Sequence, residues 1–169
     1  MIAHIVCIDS QGNIGYTDGD TFDMPWGKSV KSDLRLFREM TLGNVVIMGS
    51  NTYKSIGLLP DRTNIVISRT MTGDFVRNSI EEALEEFKDR EIFIIGGRQI
   101  YDATYKFIDR AYITVLGVDY TPVVPTNHTF IKYDTTLEGF KCISAKRLEN
   151  GSFPYSVYFT EWVCGNNVS

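Results

Sequence analysis

Apolar residues along this chain fall into two rhythms. Continuous apolar runs predict buried strands at Ile2–Ile8, Val45–Met48, Asn64–Ser68, Glu91–Ile95 and Ala111–Val118. Between them, from Ser29 to about Leu42, apolar side chains recur every three or four residues: Val30, Leu34, Phe37 and Met40 share one face of a predicted helix. Asn51–Ile56 predicts a short helix opened by Asn51, and Ser79 with Glu82 three residues on has the capping-box spacing of another. A further helix follows Gly96-Gly97 and runs to about Tyr105. Phe140–Lys146 and Tyr155–Trp162 read as a terminal strand pair around Asn150-Gly151. The Gly-, Asn- and Asp-rich stretch between Ile8 and Trp26 reads as one long loop, a length that is usually functional.

Strands alternating with helices, closed by an antiparallel pair, predict an α/β fold. The expected architecture is a single domain over residues 1–169, with a mostly parallel central sheet of about eight strands, an antiparallel C-terminal hairpin and helices on both faces. The chain has 169 residues, 43% hydrophobic and 22% charged, as globular proteins do. Its net charge of −4 argues against a nucleic-acid partner, which calls for a basic footprint. The apolar runs are too short to span a bilayer, and the first residues, MIAHIVCID, read as a strand, so a cytoplasmic protein is expected. Cys7, Cys142 and Cys164 read as free thiols, and His4 and His128 have no neighbours at metal-ligand spacing, so no metal site is expected.

Asp33 interrupts the apolar face of its helix. A carboxylate there is costly unless something pairs with it. It fits either the wet edge of a ragged stripe or a cleft awaiting a ligand that donates hydrogen bonds. Gly96-Gly97 and Gly49-Ser50-Asn51-Thr52 each place small residues where a strand meets a helix, as phosphate cradles do, although tight strand-to-helix turns use glycine routinely. Ser68-Arg69, at a third strand end, offers a guanidinium to a further phosphate or simply to solvent.

These pieces occur in a familiar order. The chain resembles the dihydrofolate reductase family over nearly its full length through Asn13-Ile14-Gly15, Met24-Pro25-Trp26, Asp33-Leu34 with Phe37, and Val46-Ile47-Met48-Gly49. Thr52 with Ser55-Ile56-Gly57, Leu59-Pro60-Asp61-Arg62, Asn64 to Arg69, Ile95-Gly96-Gly97 with Ile100-Tyr101, and Thr114 continue the match. The resemblance implies an NADPH-dependent oxidoreductase passing hydride to C6 of dihydrofolate while N5 is protonated, in one-carbon and thymidylate metabolism. It implies that Asp33 holds the pterin through its 2-amino group and N3, supported by Thr114, with Trp26 holding a water and Met24 closing the catalytic group. Ile5, Val6, Leu34, Phe37, Ile56 and Leu59 would wall the substrate, Arg62 would fork onto its glutamate carboxylate, and Ile95 and Tyr101 would face both ligands. On the cofactor side it implies Cys7, Ile14 and Gly15 at the nicotinamide, joined by Gly96, Ile95 and Tyr101. Gly49, Asn51, Thr52 and the Gly97-Arg98-Gln99 turn with Ile100 would take the pyrophosphate, and Ser50, Ser68 and Arg69 the 2′-phosphate. A monomer inhibited by antifolates is the expected form.

Four departures stand out. The lid from Gly15 to Met24 carries Tyr16-Thr17-Asp18-Gly19-Asp20-Thr21-Phe22-Asp23, longer and more acidic than the common bacterial form. Gly27 to Ser32 replaces the usual Leu-Pro step into the first helix. Ser50 stands where many members have Arg or Lys, removing a charged contact worth about 1 kcal/mol when exposed. Residues Thr121–Phe130 also lack the family's Gly-Asp-Thr, which leaves open how that loop couples to the lid. Two other readings share this fold: a riboflavin-pathway pyrimidine reductase, against which Asp33 and Phe37 argue, and a non-catalytic pteridine- or nucleotide-binding or structural protein.

Overall fold

The computed structural model describes residues 1–165. In chain order it contains β1 (Ile2–Ile8), β2 (Asn13–Thr17), β3 (Phe22–Asp23), α1 (Lys31–Thr41), β4 (Val45–Gly49), α2 (Ser50–Ile56), β5 (Thr63–Ile67) and β6 (Val76–Arg77). There follow α3 (Ile80–Glu86), β7 (Ile92–Gly96), α4 (Arg98–Thr104), β8 (Arg110–Leu116), β9 (Thr129–Lys132), β10 (Phe140–Leu148) and β11 (Val157–Cys164).

Eight strands form the central sheet in the order β10-β11-β8-β1-β7-β4-β5-β6. Pairing is parallel from β8 through β6, and β11 runs antiparallel to both β8 and β10. The sheet is therefore the mostly parallel one the sequence predicts, with its antiparallel hairpin. β4 is buried along its whole length, as a central strand covered on both faces must be. Its alternation assigns the two faces. Val45 and Ile47 pack with Ala83 and Leu84 of α3 and Tyr101 of α4, while Val46 and Met48 face Phe37 and Met40 of α1 and Tyr53 of α2.

Element boundaries shift for local reasons. The Ser29 hydroxyl donates to the Trp26 carbonyl and its amide does the same, so α1 starts at Lys31, later than the pattern predicts. The Ser79 hydroxyl does accept the Glu82 amide at 3.0 Å, as the capping spacing predicts. Asn150 Nδ2 donates to the carbonyls of Phe153 and Tyr155, folding the long β10–β11 connection onto itself.

The stretch read as one loop before Trp26 needs correction. It contains β2 and β3, which join β9 in a second, three-stranded sheet of order β3-β2-β9. At its base the buried Asp9 carboxylate accepts four hydrogen bonds: from the amides of Gln11, Asn13 and Tyr120 and from Asn13 Nδ2, at 2.8 to 3.0 Å. Asn13 Nδ2 also reaches Thr121 Oγ1 at 3.2 Å. The start of β2 is thus tied to residue 120 through the Asp9 carboxylate and to residue 121 through the Asn13 side chain, without the missing Gly-Asp-Thr.

Among the described residues, no helix is long and apolar enough to cross a membrane, and no cluster of His, Cys, Asp and Glu side chains could hold a metal ion.

Candidate active site

The cleft opens where two central strands part. β1 and β7 pair only as far as His4 and Ile94. Beyond that point β1 continues along β8, whereas β7 stays with β4 across a register shift at Met48 and Gly96. Ile5, Val6 and Cys7 on one side and Ile95, Gly96 and Gly97 on the other therefore line a cavity of about 470 Å³ at the carboxyl ends of the strands. Parallel sheets bind ligands at such forks.

α1 presents Asp33, Leu34 and Phe37 to this cavity, and Ile56 and Leu59 close it from α2 and the loop behind it. Asp33 is half-buried. Burial raises its carboxyl above the ordinary carboxylate range, and hydrogen bonds from the Thr114 and Cys7 side chains oppose that rise. Thr114 and Cys7 are registered partners across β8 and β1, so they reach the carboxylate side by side. Burial, then the charges of Asp33 and Asp9, push the Cys7 thiol far up, which keeps it a protonated donor.

At the cavity mouth, Arg62 is held in place by its own neighbours. Its Nε donates to Thr41 Oγ1 at 3.1 Å and its Nη1 to the Pro60 carbonyl at 2.7 Å. Partial burial and the nearby Arg38 lower its pKa, so a second cation stands close by. Such a pair suits a carboxylate arriving from solvent.

A second cavity of about 380 Å³ adjoins the first and shares Phe22, Thr52 and Gly97 with it. Gly49, Ser50, Asn51 and Thr52 line it together with Arg98, Gln99 and Ile100. Gly96 has φ +127°, and a Cβ there would meet Thr52 Oγ1 at 3.3 Å. The backbone thus turns close to the Thr52 hydroxyl, leaving the space above it to a ligand.

Every residue expected at the substrate lines the first cavity: Ile5, Val6 and the α1, α2 and loop residues just named, with Arg62, Ile95 and Tyr101. Met24, Cys7 and Ile14 line it too. Thr114 and Trp26 lie behind the wall, at 2% and 6% exposure, Trp26 packing on Val30, Leu116 and Phe153. Gly15, Ser68 and Arg69 line neither cavity. Gly15 lies beneath Phe22, where a Cβ would come within 2.5 Å of the ring and of the Asp23 carbonyl. The Ser68 hydroxyl accepts the amides of Thr70 and Met71, closing the turn after β5, and Arg69 is exposed at that turn.

The structure adds residues that the sequence reading passed over. Phe22 lines both cavities, and Lys28 and Ser55 line the first. Phe22 had a signal: it is the one large apolar side chain between Tyr16 and Met24. Ser55 had one as well, in the Ser55-Ile56-Gly57 match, and Lys28 had none.

Known proteins resemble this chain in sequence and in fold. The chain is similar to a dihydrofolate reductase of Bacillus subtilis (strain 168), at 34% identity over 120 residues covering 68% of each chain. It is 29% identical to that of Staphylococcus haemolyticus over 170 residues, covering 94% of this chain and 92% of the relative. The fold matches a solved structure, a dihydrofolate reductase from Enterococcus faecalis complexed with NADP(H) and RAB-propyl, with a TM-score of 0.81 at 22% identity over 96% of this chain and 95% of that one. The model of the dihydrofolate reductase family matches residues 1–163, and the chain belongs to that family.

Proposed function

We propose that the chain reduces dihydrofolate to tetrahydrofolate with NADPH, and that it does so as a single-domain, cytoplasmic monomer open to antifolate inhibitors. One observation carries this reading: an acid with a raised pKa, Asp33, faces a largely apolar cleft that a second, glycine-walled cavity adjoins.

The Asp33 carboxylate receives Cys7 and Thr114 from the protein side. Its outward lone pairs remain for the 2-amino group and N3–H of a pterin, paired donors that offset its desolvation. Phe37, Leu34 and Ile5 exclude water around the ring system, and the mouth arginine Arg62 takes the glutamate carboxylate. A water entering beside Trp26 would relay a proton from bulk solvent to N5, while ionised Asp33 stabilises the positive charge that develops on the ring.

Bound NADPH would supply the hydride. The residues present fit it. Ile14, Ile95, Gly96 and Tyr101, which line the first cavity, would flank the nicotinamide, and Cys7 would face it across Asp33. Thr52 and the Gly97-Arg98-Gln99 turn suit the pyrophosphate, with Gly49, Asn51 and Ile100 beside them. Ser50 suits the adenosine 2′-phosphate, and Arg69, exposed at the turn after β5, would add its charge from outside the cavity, whereas the Ser68 hydroxyl is spent on that turn. Phe22 and Met24 would close over the junction between the two ligands.

A coupled assay tests the reading. The purified chain should oxidise NADPH only when dihydrofolate is present, and faster than it oxidises NADH. Nucleotide oxidation indifferent to dihydrofolate would refute it.

A further inference from the structure

His4 takes no part in the chemistry above, yet it sits at the fork that creates the site. It occupies the last registered pair of β1 and β7, opposite Ile94, and has 0% exposure. Its Nε2 lies 2.8 Å from Thr104 Oγ1 and its Nδ1 2.8 Å from the Tyr133 hydroxyl. Hydrogen counting fixes the tautomer. The one hydroxyl proton of Thr104 goes to the Ile100 carbonyl at 2.7 Å, so Thr104 can only accept from His4. His4 Nε2 therefore carries the proton, and Nδ1 accepts from Tyr133. Burial agrees with this neutral form, pushing His4 down to about 3 and the Tyr133 phenol well up. Among the described residues no other polar side chain hydrogen-bonds the imidazole; Tyr101 and Tyr105 approach with their rings, at 5.0 and 6.5 Å.

Each partner leads to a different wall of the cofactor space. Thr104 ends α4, whose first turn, Arg98 to Ile100, lines the smaller cavity. Tyr133 follows β9, and Ile131 of β9 with Thr17 of β2 also lines that cavity. Its amide also donates to the Gly12 carbonyl at 2.9 Å, next to β2. Between them stands Tyr101, edge-on to both His4 and Tyr133, its hydroxyl donating to the Ile5 carbonyl at 2.9 Å. Tyr101 in turn lines the larger cavity beside Gly96 and Gly97.

We infer that His4 is a positioning residue for the dinucleotide: its neutral imidazole docks helix α4 and the lid sheet onto β1, and so sets the width of the cofactor cavity between them. The inference rests on the NADPH reading of that cavity. It makes no contact of its own with ligand, and acts through Thr104, Tyr133 and Tyr101.

The test uses Tyr133→Phe, which keeps the ring and deletes only the hydroxyl, alongside His4→Leu. Equilibrium NADPH binding is measured by fluorescence without folate present, dihydrofolate binding separately, and amide exchange at residues 13–17 and 129–132 on the free protein. Both variants should bind NADPH at least about fivefold more weakly and exchange those amides faster, with dihydrofolate affinity held within about twofold. The double variant should be no worse than His4→Leu alone, because the two changes break one joint. If His4→Leu fails to fold, Tyr133→Phe carries the test. Unchanged NADPH affinity in Tyr133→Phe overturns the inference, even where the melting temperature falls, and so does unchanged exchange. Failure of the wild-type chain to bind NADPH would instead strike the functional reading, and amide exchange would still report on the joint.

Discussion

Asp33 works against the fold it belongs to. Its carboxyl is raised by burial, so in the free protein at neutral pH the ionised form is held where water would stabilise it better. The sign follows from that direction. Above its raised folded pKa the charge costs stability, and the cost fades as pH falls through that value toward the ordinary 3.8. Asp33→Asn should therefore melt higher than wild type at pH near 7, with the gap closing in acid, while turnover at neutral pH nearly vanishes. Melting curves across pH, with initial rates beside them, check both halves; wild-type activity in the variant would refute the role given to Asp33. This residue was legible because an acid on an apolar helix face breaks a pattern. Thr114 was not legible by pattern, since its role depends on β8 lying beside β1 in register with Cys7. Ser68 shows the opposite failure: it stands at a strand end as expected, but its hydroxyl is spent on the turn that follows.

At the level of elements, long apolar runs were readable and short polar strands were not. β4 and β7 announce themselves through consecutive buried residues. β2 and β3 do not: they are five and two residues long and lie among Gly12, Gly15 and Gly19, and β3 pairs with β2, which in turn pairs with β9, more than a hundred residues on. The Asp9 carboxylate supplies what propensity lacks, gathering amides from both β2 and the loop at Tyr120. Asp9→Ala leaves several buried donors without an acceptor, each costing about 1–3 kcal/mol. Urea unfolding should show a loss of about 3 kcal/mol or more, against roughly 1 kcal/mol for loss of a helix cap. The Asn13 and Tyr120 amides should also lose exchange protection together. Loss at Asn13 alone would mean that the lid and the residue-120 loop are not joined through Asp9.

Across the whole molecule, the parallel order β8-β1-β7-β4-β5-β6 places every strand's carboxyl end on the same edge, and the fork between β1 and β7 turns that edge into a cleft. The alternation of strands and helices made the fold class plain. The position of the fork was not, because it depends on which neighbour β1 keeps after His4. The far side of the sheet carries its own consequence. β11 does not extend the edge after β10; it wedges between β10 and β8. It is fastened there by the Thr160 hydroxyl on the Ile113 carbonyl at 2.7 Å, by the Arg110–Glu161 ion pair and by Phe159 stacked on Tyr112. During synthesis, then, β8 and β10 must wait with open edges until residues 157–164 leave the ribosome, and the strand bearing Thr114 gains its second neighbour last. Chains halted just before Val157 should stay protease-sensitive and prone to edge-to-edge aggregation, and release of those last residues should bring protection of β1 and β8 in a single step.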